Sequence, residues 1–282
     1  MGDDSKLPAT VYHYCGVDGF HKIMEGRQVR LSSVRYMNDR SEQEHLLDKA
    51  RSLLEEYERG ANTSYILPLL KNFNRPQISP FAFCLSEEGD SLSQWRAYAD
   101  AGAGFAIGFS SDCLRELANK HTVAVTRVVP IQYEDSKQME LLRSCVDGYL
   151  GSATALGRAD TEAQLRALVG IWCLSAACKN RGFREEKEVR VVALPLRDQF
   201  GGGSDMPEYL RISGLHFRVA SGRIVPCFTL PFPPESVTVV CLGPTNDARD
   251  DDFYLRAFLE NSGYERERIK IISAEATLRS SR

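Results

Sequence analysis

The stretch Phe81-Ala-Phe-Cys-Leu85 is a compact apolar run bounded by Pro80 and Ser86. A short apolar run between such residues predicts a strand that is buried in a sheet. On either side of it, runs of apolar and aromatic residues between turn residues predict further strands. These strands are predicted at Thr10–Cys15, Gln28–Leu31, Phe105–Phe109, Val123–Tyr133, Lys187–Leu194, Tyr209–Ile212, Arg223–Leu230, Ser236–Leu242 and Ile269–Ile272.

The helices predicted from apolar periodicity are grouped mainly between the early and the late strands. They cover Asp18–Glu25, Ser41–Glu58, Asp112–Asn119, Ser136–Leu156, Thr161–Cys178 and Arg249–Asn261. Thr161 and Gln164 have the spacing of a capping box. This order predicts one α+β domain over residues 1–282, with central mixed or antiparallel sheets and flanking helices. Residues 1–8 are expected to form a tail and residues 274–282 a flexible end.

Composition excludes several classes of protein. The chain has 282 residues, 43% of them hydrophobic, and a formal charge of −3, so it has no overall attraction to nucleic acid or to anionic membrane. No apolar run reaches the roughly 18–20 residues that span a bilayer, and the acidic start is not a signal peptide. The eight cysteines form no Cys-x-x-Cys pair, which predicts buried free thiols in a reducing, cytoplasmic protein.

The first strand carries a candidate ligand-binding histidine. Alternation places Tyr12 and Tyr14 on one face and His13 on the other. One face is expected to pack in the core. A histidine that faced a cleft would instead form hydrogen bonds with a ligand's hydroxyl or amide groups.

The loop from Met37 to Glu42 allows two interpretations. Ser41 and Glu44 have capping-box spacing, and Asn38 and Asp39 suit a polar turn before a helix. The same geometry would also direct backbone N–H groups and the positive end of the helix toward a pyrophosphate.

A short helical turn carries Trp95 and Tyr98, which are three residues apart and therefore share one helical face. Core packing is the simpler interpretation. Stacking against a planar ring, such as nicotinamide or adenine, is the functional alternative.

Three charged residues follow at a spacing of two. On a strand, Glu186, Glu188 and Arg190 would point to one face, opposite mainly apolar neighbours. A solvated strand with ion pairs explains this pattern, and so does the edge of a catalytic pocket. Two carboxylates this close raise the pKa of one of them unless Arg190 compensates.

These clusters, in this order, resemble an uncharacterised bacterial family, domain of unknown function 2971. In outline, the family has a tyrosine/histidine strand, an Arg-Leu-Ser-Ser…Asn-Asp-x-x-Glu loop, a Ser…Trp-x-x-Tyr…Gly segment and a Glu-x-Glu-x-Arg strand. The matching residues lie between positions 11 and 245 and are Tyr12–Tyr14, Arg30–Ser33, Asn38, Asp39, Glu42, Ser86, Trp95, Tyr98, Gly104, Glu186, Glu188 and Arg190.

The family's plan is similar to the ADP-ribosyltransferase fold. This resemblance implies an enzyme that cleaves NAD without a metal, transfers ADP-ribose to a nucleic acid or a protein, and serves antiphage defence or acts as a toxin. It implies that Glu188 is the catalytic carboxylate, that Glu186 assists and that His13 holds the nicotinamide side of NAD. The implied cofactor-binding residues are Tyr14, Arg30, Ser32, Asn38, Asp39, Ser86, Trp95, Tyr98 and Arg190. Phe83-Cys-Leu-Ser86 departs from the Ser-Thr-Ser strand of that fold.

Two other functions remain open. One is a nucleotide-binding or nucleic-acid-binding module without catalysis, which would show steep salt dependence. The other is a hydrolase or nuclease that uses Asp39, Glu42, Glu186 and Glu188, with Mg²⁺ as a candidate cofactor. The acceptor, the oligomeric state and any inhibitor are not indicated by the sequence.

Overall fold

The computed structural model describes residues 7–37, 40–59, 63–73, 79–120, 124–195, 215–220, 222–248 and 252–277. The strands within these ranges are β1 (Thr10–Cys15), β2 (Gln28–Ser33), β3 (Phe81–Ser86), β4 (Phe105–Ser110), β5 (Ala124–Pro130), β6 (Glu188–Pro195), β7 (His216–Ala220), β8 (Arg223–Pro231), β9 (Val237–Leu242) and β10 (Lys270–Ser273). The helices are α1 (Val17–Gly26), α2 (Arg40–Glu58), α3 (Thr63–Phe73), α4 (Leu92–Tyr98), α5 (Ser111–Lys120), α6 (Asp135–Leu156), α7 (Thr161–Ala177) and α8 (Phe253–Asn261).

All ten strands join one sheet with flanking helices, so the predicted α+β class is confirmed. The main path of the sheet runs β10-β9-β4-β1-β3-β2-β8-β7, and β6 joins β3 and β5. The sheet is mixed, because β9 and β10 are parallel whereas the other paired strands are antiparallel. None of the helices described is both long and apolar enough to cross a membrane.

The sheet divides at β3. One edge of β3 pairs with β6 over its whole length. On the other edge, β1 pairs with it at Ser86, and β2 pairs with it at Ala82 and Phe81. Between these two pairings, Nδ1 of His13 lies 2.8 Å from the carbonyl oxygen of Cys84. A carbonyl only accepts, so Nδ1–H donates, and the ring satisfies a backbone group that the diverging strands leave without a ladder partner.

The two faces of the sheet are covered differently. One face contributes Phe83, Ile107 and Val191 to the largest apolar core, which includes residues of α1, α5 and the end of α8. The other face is covered by α4 around Trp95 and by α7 around Ala176. A separate apolar core joins α2, α3, α6 and α7. The helices on this second face leave a polar strip of the sheet between them.

The start of β4 is packed against neighbouring backbone. A Cβ atom on Gly104 would lie 2.3 Å from the carbonyl oxygen of Cys15, and one on Gly243 would lie 2.2 Å from that of Gly102. Asn246 fastens the same turn, because its side-chain amide donates to the carbonyls of Ala103 (2.9 Å) and Gly104 (3.0 Å). These contacts hold β1, β4 and β9 at a fixed separation.

Several predicted element boundaries differ from the structure. The N-cap of α7 is Asp160, whose carboxylate accepts from the N–H groups of Glu162 and Ala163, so the capping box predicted at Thr161 is wrong. Aspartate accepts these orphan N–H groups as readily as threonine. Strand β7 was not predicted, and the predicted strand Tyr209–Ile212 lies outside the described residues. All eight cysteines are free thiols, four of them buried and four half-buried.

Candidate functional site

The Glu-x-Glu-x-Arg run does not form a single strand. Glu186 ends a short 3-10 helix, Arg181–Glu186, and Lys187 adopts a left-handed backbone conformation with φ 42°. Only then does β6 begin, at Glu188. The prediction that Glu186 shares a strand face with Glu188 and Arg190 is therefore wrong in its local structure. The sharp turn at Lys187 nevertheless brings Glu186 close to Glu188, because one lysine contacts both carboxylates.

Glu188 and Arg190 form a buried two-point ion pair. Nε and Nη2 of Arg190 donate to the two carboxylate oxygens of Glu188, at 2.6 Å and 3.0 Å. Nη1 of Arg190 donates to the carbonyl of Ala176 on α7, at 2.9 Å. The side chains of Glu188 and Arg190 are only 6% and 2% exposed. Arg190 therefore links α7 to the sheet and is not available to a cofactor, contrary to its predicted role.

Lys179 completes this cluster, although no motif pointed to it. It follows α7 directly, and its Nζ contacts Oε2 of Glu188 at 3.0 Å and also Oε2 of Glu186. The ammonium lies 4.7 Å from the centre of the Phe183 ring, and its side chain is 5% exposed. A buried lysine beside two carboxylates is stabilised as the cation, and each carboxylate gains a charge-assisted hydrogen bond.

The charges in the cluster determine protonation. Burial alone would raise the pKa of Glu188, but Arg190 and Lys179 outweigh it and hold this pKa below its ordinary value. Burial, reinforced by the charge of Glu188, raises the pKa of the Cys84 thiol, which remains protonated. The interior of the cluster is therefore an ionised carboxylate between two cations, not a carboxylate poised to exchange a proton.

Glu186 is the more accessible acid. Its side chain is 19% exposed, and Oε1 accepts a hydrogen bond from the hydroxyl of Tyr98 at 3.2 Å. Tyr98 is itself exposed at the surface. Burial and the neighbouring Glu186 raise the pKa of Tyr98 to about 12, so the phenol keeps its proton. A ligand that approaches the cluster meets Glu186 and Tyr98 before it meets Glu188.

Backbone contacts hold the cluster in place. The hydroxyl of Ser86 donates to the carbonyl of Glu186 (2.8 Å) and accepts from the N–H of Glu88 (3.2 Å). The hydroxyl oxygen of Tyr133 accepts from the N–H of Glu188 at 2.9 Å. Ser86 thus supports the turn that carries Glu186, whereas its predicted role was contact with the cofactor.

His13 is not part of this cluster. Its ring packs against Phe83 at 4.3 Å between centroids, on the face of the sheet that forms the largest core. The register aligns Tyr12 with Ser86 and Ser86 with Glu188, so Glu188 lies on the opposite face. The predicted cleft with His13 opposite Glu188 is therefore wrong. Burial lowers the pKa of His13 to about 4, against the hydrogen bond to Cys84, and the imidazole is neutral.

Tyr14 and Trp95 are structural in this conformation. Trp95 has no exposed surface, and its indole N–H donates to Asp90 at 2.7 Å. Its ring meets the ring of Tyr14 edge to face, with centroids 4.8 Å apart. The Tyr14 hydroxyl donates to the carbonyl of Glu88 and accepts from the N–H of Ser91. Of the predicted stacking residues, only Tyr98 presents a ring to solvent.

Two residues predicted to bind the cofactor, Arg30 and Ser32, lie elsewhere on the sheet. Arg30 is exposed on β2, and Ser32 on the same strand accepts a hydrogen bond from Nη2 of Arg218 at 3.1 Å. Asn38 and Asp39 lie outside the described residues. Among the described residues, no group of three or more His, Cys, Asp or Glu side chains is arranged to hold a metal ion.

Comparisons with known proteins give one match. No curated protein and no solved structure matches the chain. A family model matches residues 94–191, a segment that begins beside Trp95 and contains Tyr98, Lys179, Glu186 and Glu188. This segment matches the family described as "Protein of unknown function (DUF2971)", and the family predicted from the order of the motifs is confirmed over those residues.

Proposed function

We propose that the protein is an ADP-ribosyltransferase-like enzyme that cleaves the nicotinamide glycosidic bond of NAD, with Glu186 as the catalytic carboxylate. One observation carries this proposal. Glu186 is a partly exposed carboxylate, held by the Tyr98 hydroxyl and the Lys179 ammonium directly in front of the buried Glu188–Arg190 pair. The order of the motifs along the chain supports NAD as the substrate.

The proposed reaction depends on the Glu186 carboxylate, which Tyr98 and Lys179 hold in place. When the C1′–N bond of NAD breaks, the bonding pair leaves with nicotinamide, and positive charge develops on the ribose. A fixed carboxylate stabilises that charge, as it does in glycoside hydrolysis. An acceptor hydroxyl or amine then bonds to C1′ and releases its proton, for which Glu186 is the nearest base. Glu188 and Lys179 act as positioning residues, because both lie behind Glu186 and neither needs to touch the ribose.

The test is release of nicotinamide from NAD, measured with DNA, RNA and protein mixtures as acceptors. We compare the parent with Glu186→Gln, which keeps the size of the side chain but removes its charge. The matched control is Glu185→Gln, which removes the neighbouring exposed charge. We expect Glu186→Gln to lower kcat at least about 10²-fold, the usual effect of removing one electrostatic contact to a transition state.

Two results would overturn parts of this proposal. If the parent releases no nicotinamide with any acceptor, the enzyme proposal fails. If the parent is active and Glu186→Gln matches it, the assignment of the carboxylate fails while the activity stands.

A second candidate is a nucleotide-binding module without catalysis. It is favoured by the pairing of the ionised Glu188 carboxylate, since Arg190 donates hydrogen bonds to both of its oxygens. In that case NAD or another nucleotide binds in a calorimeter, no nicotinamide is released, and Glu186→Gln retains binding.

A further inference from the structure

One wing of the sheet carries a cluster of basic residues that the proposed site does not use. We call it the basic wing and define it as the face of β2, β8 and β7 that bears Arg30, Arg223, Arg218 and His216. The register aligns Ser32 with Cys227 and Cys227 with His216, and it aligns Val225 with Arg218. Residues two apart on a strand share a face, so these side chains point to the same side as Ser32.

Among the described residues, the arginines of the basic wing have no acidic partners. None of the residues of β2, β7 and β8 is an aspartate or glutamate. Within the part of the chain that the structure describes, Arg30, Arg218 and Arg223 form no ion pair. The chain has a formal charge of −3, whereas this part of the sheet has three arginines and no acid, so its local charge is positive. Such a face attracts anions whatever the sign of the whole molecule.

The guanidinium of Arg218 has one hydrogen-bonded nitrogen and one nitrogen without a partner among the described residues. Its Nη2 donates to the hydroxyl of Ser32 at 3.1 Å, which extends the guanidinium across β8. Its Nε is buried and has no hydrogen-bond partner among the described residues. Buried donors are nearly always paired, so this N–H is an exception among the described residues. Arg30 and Arg218 both act on Cys227 from this side, where they oppose the effect of burial on its pKa.

We propose that the basic wing binds the phosphodiester backbone of a single-stranded nucleic acid. Arginine donates to phosphate oxygens through a planar fork, and the half-buried hydroxyl of Thr229 on the same face can add a further donor. The cations are spread over three strands and do not converge on one point. This arrangement fits an extended polyanion better than a single free phosphate.

The opposite face of the same hairpin argues against an anionic membrane. Phe217, Val219 and Ile224 are 64%, 80% and 67% exposed, and alternation directs them away from the arginines. A bilayer that received these apolar side chains would face away from Arg218 and Arg223. A nucleic acid needs contact with the basic face alone. This inference goes beyond the proposed enzyme, because binding does not depend on NAD cleavage.

The test is fluorescence anisotropy with labelled single-stranded RNA and DNA across a salt series. We compare the parent with the triple variant Arg30→Gln, Arg218→Gln, Arg223→Gln. Each phosphate contact contributes about −0.7 to the slope of log K against log salt, so the variant's slope should be shallower by about 2. We expect its affinity at low salt to fall at least tenfold.

Two control variants distinguish the effect of these arginines from a general loss of charge and from a loss of folding. Arg51→Gln, Arg158→Gln, Arg166→Gln removes the same net charge from the helical layer and should retain parental binding. Arg30→Gln, Arg223→Gln leaves the Arg218–Ser32 contact intact and should show about two-thirds of that change in slope. The proposal is overturned if the parent binds neither oligonucleotide at low salt, or if both triple variants weaken binding equally. Binding to phosphatidylserine vesicles but not to oligonucleotides would overturn it in favour of a lipid surface.

Discussion

Glu188 contributes to the stability of the fold rather than to the proposed chemistry. The carboxylate is buried against Arg190, and loss of one partner from a buried pair leaves the other charge uncompensated. We expect Glu188→Gln to lower the free energy of unfolding by about 3–5 kcal/mol, measured by urea denaturation. Glu188→Gln with Arg190→Met should recover much of this loss. A cost below about 1 kcal/mol, no larger than that of an exposed pair, would contradict the buried-pair interpretation.

His13 makes stability depend on pH. Burial lowers its pKa from the ordinary 6.5 to about 4 in the folded protein. Between these values the unfolded chain binds a proton that the native chain does not, so acidification favours unfolding. Above pH 6.5 the neutral His13 costs no stability. As the pH drops to about 4, the free energy of unfolding falls by up to about 3 kcal/mol. Urea denaturation across this window should show a shallower pH slope for His13→Gln than for the parent.

The sequence does not show which side chains of different strands lie on the same face of the sheet. Alternation along β1 and β6 is visible in the sequence, but it does not show which face of one strand aligns with which face of the other. That alignment depends on the register through β3, where Ser86 lies between Tyr12 and Glu188. Lys179 was missed because it follows a helix and reaches the acids only through the fold.

At the scale of elements, two glycines provide a matched pair. Gly104 directly precedes β4 and lies against the carbonyl of Cys15, whereas Gly148 lies in α6 with nothing near its missing Cβ. We expect Gly104→Ala to destabilise the protein by about 1–3 kcal/mol through backbone displacement. Gly148→Ala should stabilise it by about 0.5–1 kcal/mol, because alanine favours the helix. Thermal unfolding of the two variants measures both signs, and a neutral Gly104→Ala would show that the strands can separate freely.

Most elements could be predicted because their patterns are local. The strand Thr10–Cys15 has the predicted bounds, and α6 starts one residue before its predicted start. The sequence analysis does not predict strand β7, although its exposed Phe217 and Val219 alternate with polar residues. The register between strands is set by contacts distant in sequence, and no local pattern encodes it.

At the scale of the whole molecule, the edge of the sheet is exposed. Strand β7 ends the strand order, and its Phe217 and Val219, with Ile224 of β8, extend the apolar face beyond the covered core. Exposed apolar edges promote association between chains. We expect Val219→Lys to reduce concentration-dependent association in light scattering, while the free energy of unfolding changes by less than about 0.5 kcal/mol. Unchanged association would mean that this edge does not meet other molecules.

The carboxylate of Asp90 joins distant parts of the chain. It accepts from the indole of Trp95 and from the N–H groups of Glu275 and Ala276, so α4 and the segment after β10 share one acceptor. The chain contains two tryptophans, and replacing Trp172 with phenylalanine would leave Trp95 as the sole indole fluorophore. The emission wavelength of Trp95 would then report on the position of α4. It would shift to the red whenever a ligand at Tyr98 draws α4 away from the sheet.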